Sequence, residues 1–132
     1  MSLKLALKPN EKVIIGGAVI TNGSTGALLS IENSVPILRE KDILTEEQAD
    51  SYCKKIYLII QLMYLGEVPN LELARMYGDL VAELLLAVPS MKDLISSVTA
   101  YILDGKYYQA LKQAQKLIQY EEELLNYVPE SS

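Results

Sequence analysis

The hydrophobic pattern changes period once, near residue 44, and that change divides the chain into two kinds of structure. Up to that point short strand-like runs, Leu3–Lys8, Lys12–Ile15, Ala18–Thr21, Ala27–Ile31 and Val35–Arg39, are separated by Pro-Asn, Gly-Gly, Asn-Gly-Ser-Thr-Gly and Asn-Ser. In the first run Leu3, Leu5 and Leu7 alternate with Lys4, Ala6 and Lys8, the period of two that marks a strand with one wet face. Beyond residue 44 the apolar positions recur every three or four residues, as a helix requires. The expected fold is therefore α+β: a small antiparallel β module of four to five short strands over 1–44, then a bundle of about four helices over 45–132. Strands this short must close on each other, on a helix or on a second chain.

Local signals place the joints. Asn22-Gly23 is the dipeptide favoured in two-residue hairpins and opens a loop reaching Gly26. Thr45 with Gln48 matches a capping box and predicts a helix starting there that buries Ala49, Tyr52, Cys53, Ile56, Ile60 and Met63 and stops at Gly66. Asn70 is the expected cap of a second helix, with Leu73, Met76, Tyr77, Leu80, Val81, Leu84 and Leu85 on one side, ended by Pro89. Ser90 to Asp93 reads as the cap of a third helix, closed by Asp104-Gly105. The last helix runs from about Lys106 to Asn126. Ile59, Leu62, Leu65 and Leu86 widen the apolar stripe of the first two helices, so these need cover on two sides. Short connections predict antiparallel neighbours, and the extra apolar surface predicts a homodimer.

Composition removes most chemistry. Histidine is absent, which excludes Ser-His and Cys-His dyads and the usual proton shuttle near neutral pH. A single cysteine, Cys53, forms neither an intrachain disulfide nor a thiolate zinc cage and fits a core position between Ala49 and Ile56. Gly16-Gly17 and Gly23-x-x-Gly26 lack the helix start and Lys-Ser/Thr of a phosphate loop and read as turns. Glu46-Glu47 and Glu121-Glu122-Glu123 occupy consecutive helix positions, which point in different directions, and read as solvated faces rather than a metal site. We expect no enzyme, catalytic residue, cofactor or metal. The longest apolar run, Ile56–Leu65, is interrupted by Gln61 and too short to span a bilayer, and no signal peptide is evident, so the expected location is the cytoplasm, away from membranes.

Charge is placed unevenly. The net charge is −5, yet residues 1–44 carry five basic and four acidic groups, a balance of +1, while the remainder carries seven basic and thirteen acidic, a balance of −6. A polyanion would prefer the β module and be repelled by the helices. Lys4 and Lys8 share one face of the first strand, and Arg39 with Lys41 leaves the last strand nearby if first and last strands pair. Single-stranded RNA is held by such groups, with Arg forking onto a phosphate or guanine edge and Lys supplying a less directional charge.

The segment Leu3-Lys-Leu-Ala-Leu-Lys-Pro-Asn-Glu-Lys-Val-Ile-Ile-Gly-Gly-Ala-Val19 resembles the flagellum biosynthesis repressor family FlbT, as do Leu38-Arg-Glu-Lys-Asp-Ile-Leu44, Ile56-Tyr-Leu-Ile-Ile-Gln-Leu-Met63 and Tyr108-Gln-Ala-Leu-Lys112. Asn10 stands where that family often has Gly, a substitution that a turn accepts because Asn tolerates left-handed geometry. The resemblance implies a small cytoplasmic regulator that binds the flagellin messenger leader and represses its translation, acting beside a FlaF-like regulator. The first third is also similar to the carbon-storage regulator family of messenger-binding proteins, in the pattern Leu3-x-Leu5-x-x-Lys8-x-x-Glu11-x-Val13-Ile14-Ile15-Gly16 with Val35-x-Ile37-x-Arg39-Glu40. Members of that family are interlocked β dimers that grip RNA with basic residues on the first and last strands. The likeness carries Lys8 and Arg39 onto that surface, whereas Leu7 stands where that family has an Arg.

The expected RNA-binding residues are thus Lys4, Lys8, Lys12, Arg39 and Lys41, and replacing Lys8 and Arg39 together is expected to abolish leader binding with thermal unfolding unchanged. The rival expectation is a protein-interaction module, an assembly or secretion helper that binds flagellin or the partner regulator through the helices. Tyr101, Tyr107, Tyr108 and Tyr120 are the candidates for that surface, since Tyr is enriched at interfaces. Asp104 to Ala114 resembles the turn of a tetratricopeptide unit, but one unit builds no solenoid and a close helical hairpin suffices.

Overall fold

The structure, a computed structural model, describes residues 2–66 and 69–126. The chain divides into two compact units, Met1–Ile43 and Leu44–Ser132. As expected, five short antiparallel strands precede four α-helices among the described residues.

In the first unit the strands are β1 (Leu3–Leu7), β2 (Lys12–Ile15), β3 (Ala18–Thr21), β4 (Ala27–Ile31) and β5 (Ile37–Arg39). They form two sheets. β1 pairs with β4 in the register Leu5 to Leu29, and β2 lies between β3 and β5 in the registers Ile15 to Ala18 and Val13 to Arg39. Leu5, Leu7 and Val13 form the core of this unit, with Ile15, Leu29 and Ile37 packed against it. The alternation in the opening run thus does what period two dictates: Leu5 and Leu7 are buried and Lys4, Ala6 and Lys8 exposed.

Two expectations need correction here. The first and last strands do not pair; β5 is hydrogen-bonded to β2. The tight hairpin is also not at Asn22-Gly23. It joins β2 to β3 through Gly16 (φ 57°) and Gly17 (φ 89°), two successive positive-φ positions that only glycine fills at no steric cost. Asn22 instead ties the loop to the β1–β2 turn: its N–H donates to the Glu11 carbonyl (2.8 Å), and its side-chain amide donates to the carbonyls of Lys8 (2.8 Å) and Thr25 (2.9 Å). The Asn10 N–H in turn donates to the Gly23 carbonyl (2.8 Å), with Asn10 in the left-handed region at φ 61°.

The second unit holds α1 (Tyr52–Leu65), α2 (Asn70–Ala87), α3 (Lys92–Leu103) and α4 (Tyr107–Leu125). α4 packs on both α1 and α3, and α2 packs on α1. The Thr45–Gln48 capping box forms, but it closes a 3-10 turn over Glu46–Gln48; α1 begins six residues later, after Ser51, whose hydroxyl accepts the Lys54 N–H. Glu121 on α4 completes this cap, accepting the Ser51 hydroxyl and the Cys53 N–H (3.2 Å). Glu121 is therefore a helix cap supplied across the bundle, where the sequence suggested only a solvated face; Glu122 and Glu123 are exposed. Tyr52, the first residue of α1, is exposed, and Met76 on α2 is exposed as well.

Two further caps differ from expectation. Pro69 precedes α2, and the Asn70 amide donates to the Tyr107 hydroxyl (3.1 Å). Ser90 lies in a 3-10 turn and pairs with the Tyr120 hydroxyl (2.8 Å) instead of capping α3. Gln61, the polar interruption of the apolar run, is buried and pairs through both ends of its amide with the Leu44 backbone, at 2.8 and 3.0 Å. No described helix is long and apolar enough to cross a membrane.

Cys53 is fully buried, and burial, reinforced by the Glu121 carboxylate, pushes its thiol up to about 12. Only the thiolate alkylates readily. Iodoacetamide at pH 8 is therefore expected to leave the native protein unmodified and to modify Cys53 fully in denaturant, as read by intact mass. Fast native modification would contradict the burial.

Candidate nucleic-acid interface

Three cations of the β module line one concavity, and a turn presents the first of them. Pro9-Asn10 reverses the chain between β1 and β2, with the Glu11 N–H donating to the Lys8 carbonyl (3.1 Å) and the Lys8 N–H donating to Glu11 Oε1 (2.8 Å). This fixes the Glu11 carboxylate over the turn. Arg39 reaches it from β5: Nη2 lies 3.0 and 3.1 Å from the two carboxylate oxygens and Nε lies 3.2 Å from Oε2, while Nη2 also donates to the Ala6 carbonyl. The link between β1 and β5 that sequence reasoning assigned to strand pairing is made by this guanidinium. Lys41 follows on a 3-10 turn over Glu40–Asp42.

The result is a concavity of about 240 Å³ lined by Lys8, Glu11, Arg39 and Lys41. A second hollow of about 500 Å³ shares Lys8, Glu11 and Lys41 and adds Pro9, Asn10 and Glu40. Lys8 and Lys41 are exposed and form no salt bridge among the described residues, though the Lys8 charge also acts on the Glu11 carboxylate, which chiefly balances Arg39. Glu40 is engaged through its carboxylate, which accepts the Lys12 N–H (2.6 Å). The local excess of positive charge is small, so the site suits a few phosphates held in a salt-sensitive way rather than a deep polyanion groove.

Of the five expected cations, Lys8, Arg39 and Lys41 come together and Lys4 and Lys12 do not. Lys4 shares the Lys8 face but lies four residues back along β1, roughly 13 Å at strand rise. Lys12 precedes Val13, the residue paired with Arg39, and so emerges on the opposite face of its strand. The sequence did not reveal Glu11 as the partner of Arg39, because the two lie 28 residues apart. The double replacement of Lys8 and Arg39 will therefore not leave unfolding unchanged, since loss of Arg39 strips two anchors from the β1–β2 turn.

Glu11 makes this pair sensitive to acid. The Arg39 guanidinium, then the Lys8 N–H, hold its carboxyl below the ordinary carboxylate value. A group whose pKa is lowered by folding stabilises the fold above its unfolded pKa, near 4.5, and loses that contribution as pH falls through the folded value. Wild type is expected to be more stable than Glu11→Gln at pH 6, and the gap between them to close at pH values well below 4.5, as read by urea unfolding. A gap that is constant with pH would contradict the pairing.

Tyr107 and Tyr120 are half-buried and spend their hydroxyls on Asn70 and Ser90, and Tyr101 is also half-buried. Tyr108 is exposed, packs with its ring tilted 47° to that of Tyr64 at a centroid distance of 5.7 Å, and lies under the Lys112 ammonium at 5.2 Å. Among the described residues no group of three or more His, Cys, Asp or Glu is placed to hold a metal.

A profile of the family described as flagellar protein FlbT matches residues 3–125, which includes both units. The chain belongs to the FlbT family. It is 47% identical over 125 residues to a probable flagellum biosynthesis repressor protein FlbT of Bradyrhizobium diazoefficiens, covering 94% of this chain and 85% of that protein. It is 44% identical over 127 residues to the corresponding protein of Rhodopseudomonas palustris, covering 96% and 99%. A flagellum biosynthesis repressor protein FlbT of Caulobacter vibrioides is 35% identical over 131 residues, covering 97% and 92%. No solved structure matches the chain.

Proposed function

We propose that this FlbT-family chain is a cytoplasmic, non-enzymatic regulator of flagellum biogenesis that binds the leader of a flagellin messenger and represses its translation or promotes its decay. The regulatory half of this reading is supported by relatives of nearly full length that carry the name flagellum biosynthesis repressor. The RNA half is supported by one observation: Lys8 and Lys41, two exposed cations in no salt bridge among the described residues, line the same concavity beside the Arg39–Glu11 pair. A single-stranded leader would lay consecutive phosphates against Lys8 and Lys41. Arg39, already held by Glu11 and Ala6, acts chiefly by fixing the turn that presents Lys8. The acidic helices repel RNA and confine it to the β module.

The direct test is a filter-binding titration of the full chain with a flagellin leader and with an unrelated RNA of equal length, at two salt concentrations. Each phosphate contact to a single strand contributes about −0.7 to the log–log salt slope. A modest slope, with preference for the leader, is the expected result. No binding at low salt would reject the RNA reading and leave regulation through a protein partner.

A further inference from the structure

Asn22-Gly23 opens the loop between β3 and β4. Asparagine is chemically labile, and a following glycine makes it most so, because no Cβ hinders closure of the glycine nitrogen onto the side-chain amide. The bond that forms joins Gly23 N to Asn22 Cγ, and the Gly23 proton passes to solvent. The bond that breaks is Cγ–Nδ2, and Nδ2 leaves as ammonia after taking a proton from water. Water then opens either carbonyl of the succinimide ring. One opening gives aspartate; the other gives isoaspartate, with the main chain running through Cγ. Water is the only co-reactant.

Burial does not shield this site. Gly23 is exposed, and nothing lies within 4 Å of where a Cβ on it would stand. Hydrogen bonds provide the protection. Asn22 Nδ2 donates to the Lys8 carbonyl at 2.8 Å and to the Thr25 carbonyl at 2.9 Å, which commits both its hydrogens. Two carbonyl oxygens can be met only by the NH2 end of the amide, so its orientation is fixed. Oδ1 accepts the Gly23 N–H at 2.9 Å, so the proton that the nucleophile must lose is also held. On either side the main chain is anchored to the β1–β2 turn: the Asn22 N–H donates to the Glu11 carbonyl, and the Gly23 carbonyl accepts the Asn10 N–H, each at 2.8 Å. Ring closure requires the amide to turn its carbon toward the Gly23 nitrogen and then to release ammonia. Both Nδ2 bonds must break first.

The same bonds define what the product does. A carboxylate carries no hydrogen at neutral pH and donates to neither carbonyl. It sets negative charge against two carbonyl oxygens, and isoaspartate also lengthens the main chain between the contacts to Glu11 and Asn10. We infer that Asn22-Gly23 is a one-way lock on the β1–β2 turn: a deamidation site kept closed by its hydrogen bonds to that turn and open to water when the β unit opens. Hydrolysis does not run back to the amide, so the turn that presents Lys8 stays untied. That consequence is independent of whether the turn contacts RNA.

The test is incubation of the full chain at pH 8 with and without denaturing urea, followed by peptide mapping that separates the Asn, Asp and isoaspartyl forms at residue 22. Conversion in urea is expected to be at least ~10-fold faster than native conversion, since the native reaction passes only through locally open molecules. Gly23→Ala is expected to suppress the reaction in urea and to leave the fold unchanged, because a Cβ there meets nothing. Asn22→Asp, which makes the product directly, is expected to speed amide hydrogen exchange at Asn10 at least ~10-fold while exchange in the helical unit matches wild type. Equal conversion with and without urea would overturn the inference. So would a residue 22 that stays asparagine in urea, or an Asn22→Asp chain whose Asn10 exchanges at the wild-type rate.

Discussion

Lys8→Glu combined with Lys41→Glu is expected to lower affinity for a flagellin leader by on the order of 100-fold at low salt and to flatten the log–log salt slope by about 1.4. Both effects follow from the same count. Each lysine lost removes one phosphate contact, and each glutamate gained adds repulsion beside Glu11 and Glu40, which already line the site. Unfolding should show only a small loss, because both lysines are exposed and neither is in a salt bridge among the described residues, while the new charges weaken the Glu11 anchor. Lys4→Glu with Lys12→Glu is the control. It makes the same change in net charge on the same unit but outside the concavity, and should cost far less. Equal losses from the two pairs would mean that binding is a diffuse effect of net charge. No loss from the first pair would remove the site.

Leu117→Ala is expected to destabilise the helical unit by about 2–5 kcal/mol, the range for deleting a fully buried leucine whose surroundings relax only in part. Leu117 is 0% exposed on α4, the helix that packs on both α1 and α3, and it follows the buried Ala110, Leu111 and Ala114. Small alanines at a four-residue spacing let neighbouring helices approach closely, so little side-chain mass is available to refill the cavity. A loss of this size lowers the melting temperature by roughly 10 °C in a chain of this length. Leu125→Ala, at an exposed leucine of the same helix, should change stability by less than ~0.5 kcal/mol. Urea unfolding followed by helical circular dichroism separates the two. A loss below ~1 kcal/mol at Leu117 would place α4 outside the cooperative core.

The strand and helix inventory was legible because it rests on local periodicity. β2, β3 and β4 begin and end where the apolar runs do, and Gly66 and Gly105 end α1 and α3 in left-handed geometry. Errors arose where one local signal had two structural uses. Thr45-Gln48 is a genuine capping box, but it closes an isolated turn, since the α-helix needed the second cap at Ser51 and the Glu121 carboxylate from α4. Asn22-Gly23 has the composition of a hairpin turn, yet Gly16-Gly17 lies between strands whose registers match and Asn22 is used to bind the neighbouring turn. No periodicity bears on whether β1 pairs with β5, so the placement of Arg39 beside Lys8 depends on a link that only the fold supplies.

Local pattern is enough to set the α+β order, the alternating faces of β1 and the segregation of charge, because each depends on residues within a few positions of one another. Which cations share a concavity depends on long-range packing. Lys8, Arg39 and Lys41 meet because a turn, a strand and a 3-10 turn converge on Glu11, and a contact across 28 residues leaves no local trace. Leu86 and Ile59 read alike in the sequence, as excess apolar surface. That Leu86 is exposed while Ile59 is buried is a matter of which neighbours cover them, and this is fixed by packing rather than by pattern.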